Sequence, residues 1–182
     1  MNQSVAGLKI AMLVANGFEQ VELVGPRKAL QEAGAKTILI SPHGPRVQGW
    51  NHDNRGDTFD VDVPLQNANP NDYDALVLPG GVMNPDTLRI TPGAIAFIKA
   101  CVDADKPIAA ICHGPWTLID AQAVKGRTVT SWPSIRIDLE NAGATWINQE
   151  VVIDGNLITS RKPADIPAFN QAMLERFAAH RK

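Results

Sequence analysis

The sequence reads as a three-layer α/β/α sandwich built on a mainly parallel central sheet. Three features carry that reading. Short apolar runs alternate with helix-like stretches from residue 8 almost to the C-terminus. Most of these runs are continuously apolar, as strands covered on both faces must be. The 182 residues suit one domain with a proper core, and no repeat, low-complexity tract or linker divides them, so the domain is drawn as residues 1–182.

Along the chain, "LKIAMLVA" (8–15) is the first buried strand. "EQVELVGPRKALQEAG" (19–34) follows as a helix stopped by Gly34, with Gly25-Pro26 implying a kink or two short helices. "KTILIS" (36–41) is the second strand, and residues 42–56, rich in Gly, Pro, His and Asn, read as loop. "TFDVDV" (58–63) alternates strictly, which suits a half-exposed strand at an edge or in a hairpin. "DALVLPGG" (74–81) is a buried strand ending in a Gly-Gly turn. A helix over 92–104 takes Thr91 as N-cap and Pro92 as its first residue. "PIAAIC" (107–112) is the next strand, with a helix over 114–122 behind it. "TVTS" (128–131) is a strand and 134–142 a short helix ending at Gly143. "TWIN" (145–148) and "EVVIDGNLITS" (150–160) close the sheet, the latter as a hairpin turning at Asp154-Gly155. The last helix spans 165–180.

Composition removes several function classes. Hydrophobic residues make up 45% and charged residues 20%, the balance of an ordinary globular protein. A net charge of −2 without a basic cluster argues against nucleic acid and anionic membranes as partners. "IAMLVA" (10–15) is too short to span a bilayer and lacks the flanks of a signal peptide, so a cytoplasmic location is expected. Cys101 and Cys112 are too few for a disulfide framework and are expected as free thiols. No cofactor is expected, because no GxGxxG follows the first strand and no P-loop occurs. No metal is expected either: "HDNRGD" (52–57) offers one His with scattered acids, and its RGD is a chance tripeptide.

The chemistry concentrates at "AAICHGPW" (109–116), where a buried strand ends on Cys112 and His113 and is broken at once by Gly114-Pro115. Ligands of open parallel sheets bind beyond the carboxyl ends of the strands. Ala110 and Gly114 place small residues two before and two after Cys112, which a sharp strand-to-helix elbow requires. A nucleophile there would stand at the N-terminus of the next helix, whose dipole and free N–H groups lower a thiol pKa. Cys101, in "AFIKACVDADK", sits mid-helix among apolar residues and reads as packing.

Partners for a thiolate follow from the same topology. Glu19 and Glu22 lie beyond the first strand, three apart, on one helical face. A carboxylate and a thiolate in contact repel, so one of them keeps a proton; if Glu22 or Glu19 keeps it, the acid donates a hydrogen bond to S⁻ and the two groups titrate as a pair. His113 follows Cys112 directly, and neighbours on a sharp elbow diverge, so the dipeptide alone does not establish a Cys–His–acid triad. The backbone N–H groups of Gly81 and His113 are the expected oxyanion donors. Trp50, His52, Trp116 and Trp132 are candidates for the rim of the pocket.

"AxxCHGPW" after "LVLPGG", with "GFEQVEL" near the start, resembles the PfpI (intracellular protease I) family. That family belongs to the superfamily of class I glutamine amidotransferase-like domains, which includes the parkinsonism-associated deglycase. The similarity extends through "NPDTLR" (84–89), "AGATW" (142–146) and "EVVIDGNLITSRKPADIPAF" (150–169). The resemblance implies a flavodoxin-like sandwich, Cys112 as nucleophile, Glu22 as the carboxyl hydrogen-bonded to it and Glu19 as a second acid nearby. It makes His113 the family histidine, completed in protease-like members by an acid from a neighbouring subunit, and puts Asp86 at the position of that acid. It also implies self-association as a dimer or hexamer. The loop "GPRVQGWNHDNRGD" (44–57) and Trp116 are bulkier than the family pattern at the pocket rim.

The resemblance implies a stress-response enzyme acting on glyoxal, methylglyoxal or their early protein and nucleotide adducts, as a glutathione-independent glyoxalase or deglycase. A second reading is an intracellular cysteine peptidase using His113 and a partner's acid. A third is a redox sensor or holdase whose Cys112 oxidises to a sulfinate. No late His-x-Glu pair supports glutamine amidotransfer.

Overall fold

The computed structural model describes residues 4–180. Its strands are β1 (Lys9–Leu13), β2 (Phe18–Glu19), β3 (Lys36–Ser41), β4 (Arg46–Asn51), β5 (Asn54–Asp60), β6 (Val63–Pro64), β7 (Ala75–Leu78), β8 (Ile108–Ile111), β9 (Thr128–Val129), β10 (Thr145–Trp146), β11 (Val151–Asp154) and β12 (Leu157–Ser160). Its helices are α1 (Gln20–Glu32), α2 (Met83–Arg89), α3 (Pro92–Asp103), α4 (Trp116–Asp120), α5 (Arg136–Asn141) and α6 (Ile166–Ala179). Seven strands form the central sheet in the order β11-β12-β8-β7-β1-β3-β6. All neighbours in it run parallel except the edge pair β11–β12. This is a flavodoxin-like α/β sandwich, as the alternation of apolar runs and helices predicts.

The two-residue period of the strands divides the core into two layers. Ile10, Met12 and Val14 face one side, where Leu23 and Leu30 of α1 and Phe169, Met173 and Phe177 of α6 cover them. Ala11, Leu13 and Ala15 face the other, under Phe97, Ile98 and Cys101 of α3 and Leu118 of α4. Residues 8–15 are therefore apolar without a break because both faces are covered. No helix among the described residues is long and apolar enough to cross a membrane.

Several elements differ from the sequence expectations. Residues 42–56 are not simply loop: β4 and β5 form an antiparallel hairpin, and β2 joins β4 to make a three-stranded sheet. Asn51 pairs with Asn54 across a two-residue turn, where His52 adopts φ 56°. A His-Asp turn flanked by Asn lacks the Gly that marks such turns, so composition hid the hairpin. Helix α1 runs unbroken through Pro26, carried by the packing of Leu23 and Leu30. Residues 83–89, unassigned in the sequence, form α2 directly after the Gly-Gly turn. Thr91 occupies the N-cap position of α3, yet its hydroxyl donates to the Thr87 carbonyl and caps nothing. Among the described residues, strands β9 and β10 pair only with each other, outside the main sheet. The closing hairpin turns at Gly155-Asn156, because Asp154 still pairs with Leu157.

Candidate active site

The elbow at Cys112 breaks the alternation of its own strand. Ile108 and Ala110 face the α3 layer, and Ala109 and Ile111 face the α1/α6 layer. The next residue in that alternation belongs with α3, but Cys112 lies in the α1/α6 layer beside Ile111. Its φ of 62° makes the change, a conformation that costs a non-glycine residue free energy and persists only where the surroundings enforce it. Here the main chain enforces it. The Cys112 N–H donates to the Ser160 carbonyl at 3.0 Å, and its own carbonyl accepts from Trp132 N–H at 2.9 Å.

Two glycine positions make room for the turn. A Cβ on Gly114 would lie 2.4 Å from the Leu78 carbonyl oxygen, and one on Gly80 would lie 2.5 Å from Glu22 Oε2 and 2.6 Å from Cys112 Cβ. Thus the small flank at residue 114 is required, and the Gly80-Gly81 turn packs directly on the elbow. Asn84, fully buried, braces that turn: it donates to the Pro79 and Gly80 carbonyls, both at 3.0 Å, and accepts from Ala15 N–H at 2.7 Å.

Redirected in this way, Cys112 meets Glu22 on the first turn of α1. Glu22 is wholly buried, and one carboxyl oxygen accepts the Gly80 N–H at 2.8 Å. The other oxygen, Oε1, is buried and has no hydrogen-bond partner of good geometry among the described residues. Burial raises the Glu22 pKa to about 8, and the charge of Glu19 adds to the rise against the pull of Gly80 N–H and the thiol. Glu22 therefore holds a proton at neutral pH. Burial and the charge of Glu22 push the Cys112 thiol up as well, while the N–H groups of Gly81 and His113 draw it down.

That balance corrects the expected helix-dipole activation. Helix α4 spans only Trp116–Asp120 and begins beyond the turn at residues 113–115, so it offers Cys112 little dipole. The N–H groups of Gly81 and His113, expected as oxyanion donors, also act on the sulfur and draw its pKa down. The same donors would serve an oxygen on a carbon bonded to that sulfur.

His113 does reach Cys112, with Nδ1 at 3.3 Å from Sγ. Its Nε2 lies 3.2 Å from Ser134 Oγ, a residue that no local signal singled out. The ring stacks against Trp132 (centroids 6.0 Å apart, planes at 24°) and lies beside Trp116. Burial lowers its pKa, so the imidazole is neutral near pH 7.

A cavity of about 490 Å³ opens onto Cys112, bounded by Glu19, Glu22, Trp50, His52, His113 and Trp132 among others. Glu19 is buried in its wall, and both its oxygens accept the His52 N–H, at 3.2 and 3.4 Å, tying the hairpin tip to the site. Trp116 does not line the cavity. Its indole N–H donates to Asp138 and its face lies under Arg89, so the polar edge found a partner outside the pocket. Asp86 is exposed on α2 and borders a neighbouring cavity that shares Gly17, Trp50 and Met83 with the first.

The family model described as DJ-1/PfpI matches residues 8–176. A deglycase of Thermococcus kodakarensis, TK1284, is 41% identical over 162 residues, 89% of this chain and 95% of the relative. YraA of Bacillus subtilis, named as a candidate cysteine protease, is 42% identical over 166 residues, covering 91% of this chain and 96% of the relative. The crystal structure of Drosophila melanogaster DJ-1beta superposes with a TM-score of 0.85 at 27% identity, covering 94% of this chain and 91% of that one. A cysteine set on a left-handed elbow, faced by a buried protonated carboxyl and two backbone donors, thus sits in a chain that belongs to the DJ-1/PfpI family.

Proposed function

We propose that this protein converts small dicarbonyls, free or as early adducts on amines, to hydroxy acids through Cys112 and without glutathione. One observation carries the reading: the wholly buried Glu22 carboxyl and the Cys112 side chain meet at Gly80 and line the same cavity, where burial favours the protonated acid. Addition to an aldehyde needs a nucleophile, an acid for the new alkoxide and an acid/base able to move a proton between adjacent carbons. The deglycase name of a 41% identical relative supports the same class of substrate.

With methylglyoxal the steps balance as follows. The Cys112 thiol proton passes to His113 Nδ1 as sulfur bonds to the aldehyde carbon, and the carbonyl oxygen takes the proton of Glu22. The product is a hemithioacetal held by the N–H groups of Gly81 and His113. Glu22, now a carboxylate, takes the C1 proton and returns it to C2, while the C1 hydroxyl proton moves to the C2 oxygen. That leaves a lactoyl thioester: water adds its hydroxyl to the acyl carbon and its other proton to Glu22, the leaving sulfur takes back the proton held on His113, and the acid formed releases a proton to solvent as lactate. Glyoxal gives glycolate by the same route.

The test is to follow methylglyoxal by proton NMR in glutathione-free buffer with wild type and Cys112→Ser. Lactate formed by wild type alone supports the reading; dicarbonyl that persists in both sinks it. A peptidase reading draws on the His113–Cys112 contact. It needs an anion at His113 Nε2, where this chain offers Ser134, so a second copy would have to bring its Asp86 there. Cleavage of a casein substrate by Cys112-competent oligomer, without lactate production, would favour it.

A further inference from the structure

We propose that Ser134 is the positioning residue of the site, completing within one chain a Cys112–His113–Ser134 relay in which a hydroxyl replaces the usual anionic orienter. The relay is continuous: Sγ to Nδ1 is 3.3 Å and Nε2 to Oγ is 3.2 Å. The ring is held in that line by Trp132, stacked at 24°, and by Trp116, tilted at 55°. Ser134 itself is carried in the short turn Pro133–Ile135, whose geometry is anchored by the buried Ile135 and by the Trp132 N–H bond to the Cys112 carbonyl. The hydroxyl and the thiol are therefore fixed to the same backbone junction.

The choice of a hydroxyl has a chemical consequence. A carboxylate at Nε2 only accepts, so it holds the proton on Nε2 and stabilises imidazolium. A serine hydroxyl both donates and accepts. It serves the tautomer with Nε2–H, which leaves Nδ1 free to accept the thiol proton. It serves equally the tautomer with Nδ1–H, which donates to S⁻ while Nε2 accepts from Ser134. His113 can thus take a proton from Cys112 and return one to an adduct without becoming a permanent cation. Sulfur is the polar atom found at Nδ1 and the Ser134 hydroxyl the one at Nε2. The other titratable groups lining the cavity are Glu19, Glu22, His52 and Asp53, of which Glu22 faces Cys112. This inference does not rest on the dicarbonyl reading, since it concerns the free protein.

The test uses two readouts that need no substrate. Nitrogen-15 NMR of the His113 ring reports its tautomer, and the rate of iodoacetamide addition to Cys112 across pH 6–9 reports thiol activation. Ser134→Ala is expected to shift the His113 nitrogen resonances and slow alkylation by about threefold to tenfold, the worth of one hydrogen bond. Ser134→Thr, which keeps the hydroxyl, is expected to restore both. Ser134→Asp is expected to raise the His113 titration and shift it towards imidazolium. Because Ser134 is exposed, these variants are expected to fold, and a thermal melt checks it. An unchanged His113 spectrum and alkylation profile in Ser134→Ala would overturn the relay, as would a Thr variant no better than Ala.

Discussion

The two thiols of this protein are both buried, Cys101 completely and Cys112 at 6% exposure, yet only one sits where chemistry can happen. Cys101 lies in the last turn of α3, later than the mid-helix position the sequence suggests, packed with Phe97, Ile98 and Ala94, and burial raises its pKa to about 11 with only Lys106 pulling the other way. Cys112 is pushed up by burial too, but it has Glu22, two N–H groups and His113 around it and a cavity in front. Burial does not separate a structural cysteine from a reactive one. What separates them is a backbone that turns the side chain out of its own alternation and into a set of polar partners.

The largest test of that contrast is substitution of each thiol in turn. Cys112→Ser is expected to lower lactate formation from methylglyoxal by about 10³-fold or more, the scale seen when a nucleophile is removed. Cys101→Ala is expected to leave that rate unchanged and to cost about 1 kcal/mol in a urea melt, as a small buried truncation does. Loss of activity in Cys101→Ala with the fold intact would break the comparison.

Next comes the partner that only Cys112 has. Glu22→Gln keeps a donor beside the sulfur but cannot move a proton, so the rate is expected to fall about 10²-fold. The same variant has a stability signature. The Glu22 pKa rises from 4.5 to about 8 on folding, so between those values the folded state holds a proton that the unfolded chain has lost. The stability this represents is complete below pH 4.5 and is lost as pH rises through about 8. Wild type is therefore expected to melt at a falling temperature relative to Glu22→Gln between pH 5 and pH 9, measured by calorimetry at three pH values. A constant difference would mean that Glu22 is ionised throughout.

The same contrast explains what could be read before the structure. The elbow was visible because its constraint is local: small residues at 110 and 114 flank Cys112, and Gly80-Gly81 ends the neighbouring strand. The buried strands were visible because continuous apolarity reports cover on both faces. Topology narrowed the acid to Glu19 or Glu22 and the resemblance chose Glu22, since its role depends on α1 meeting the Gly80 turn rather than on its neighbours in sequence. Ser134 left no mark at all. It meets His113 from a turn after β9, and nothing in "SWPSIR" reports that approach. The β4–β5 hairpin was hidden for a related reason, because its pairing rests on cross-strand partners and not on a turn dipeptide that composition favours. Asp86 was legible as a residue of the family pattern, but within this chain it borders the adjoining cavity and leaves Nε2 of His113 to a hydroxyl.

Two glycines, one in each of these regions, extend the comparison to the backbone, and the second carries the smallest effect. At the elbow, Gly114→Ala sets a methyl group 2.4 Å from the Leu78 carbonyl and 2.9 Å from that of Ile111. Backbone oxygens cannot swing aside as a flexible side chain can, so the cost is expected at about 1–3 kcal/mol, with slower Cys112 alkylation as the turn shifts. On α3, Gly93→Ala places its methyl 3.6 Å from Leu65 Cδ2, an ordinary contact. The variant is expected to gain about 0.5 kcal/mol in a urea melt from helix propensity alone. Its alkylation rate at Cys112 should match wild type, because α3 packs on the sheet face that the elbow has turned away from. A change in that rate would mean that the two faces are coupled through β8, and the separation of structural from reactive thiol would then belong to the whole sheet rather than to one turn.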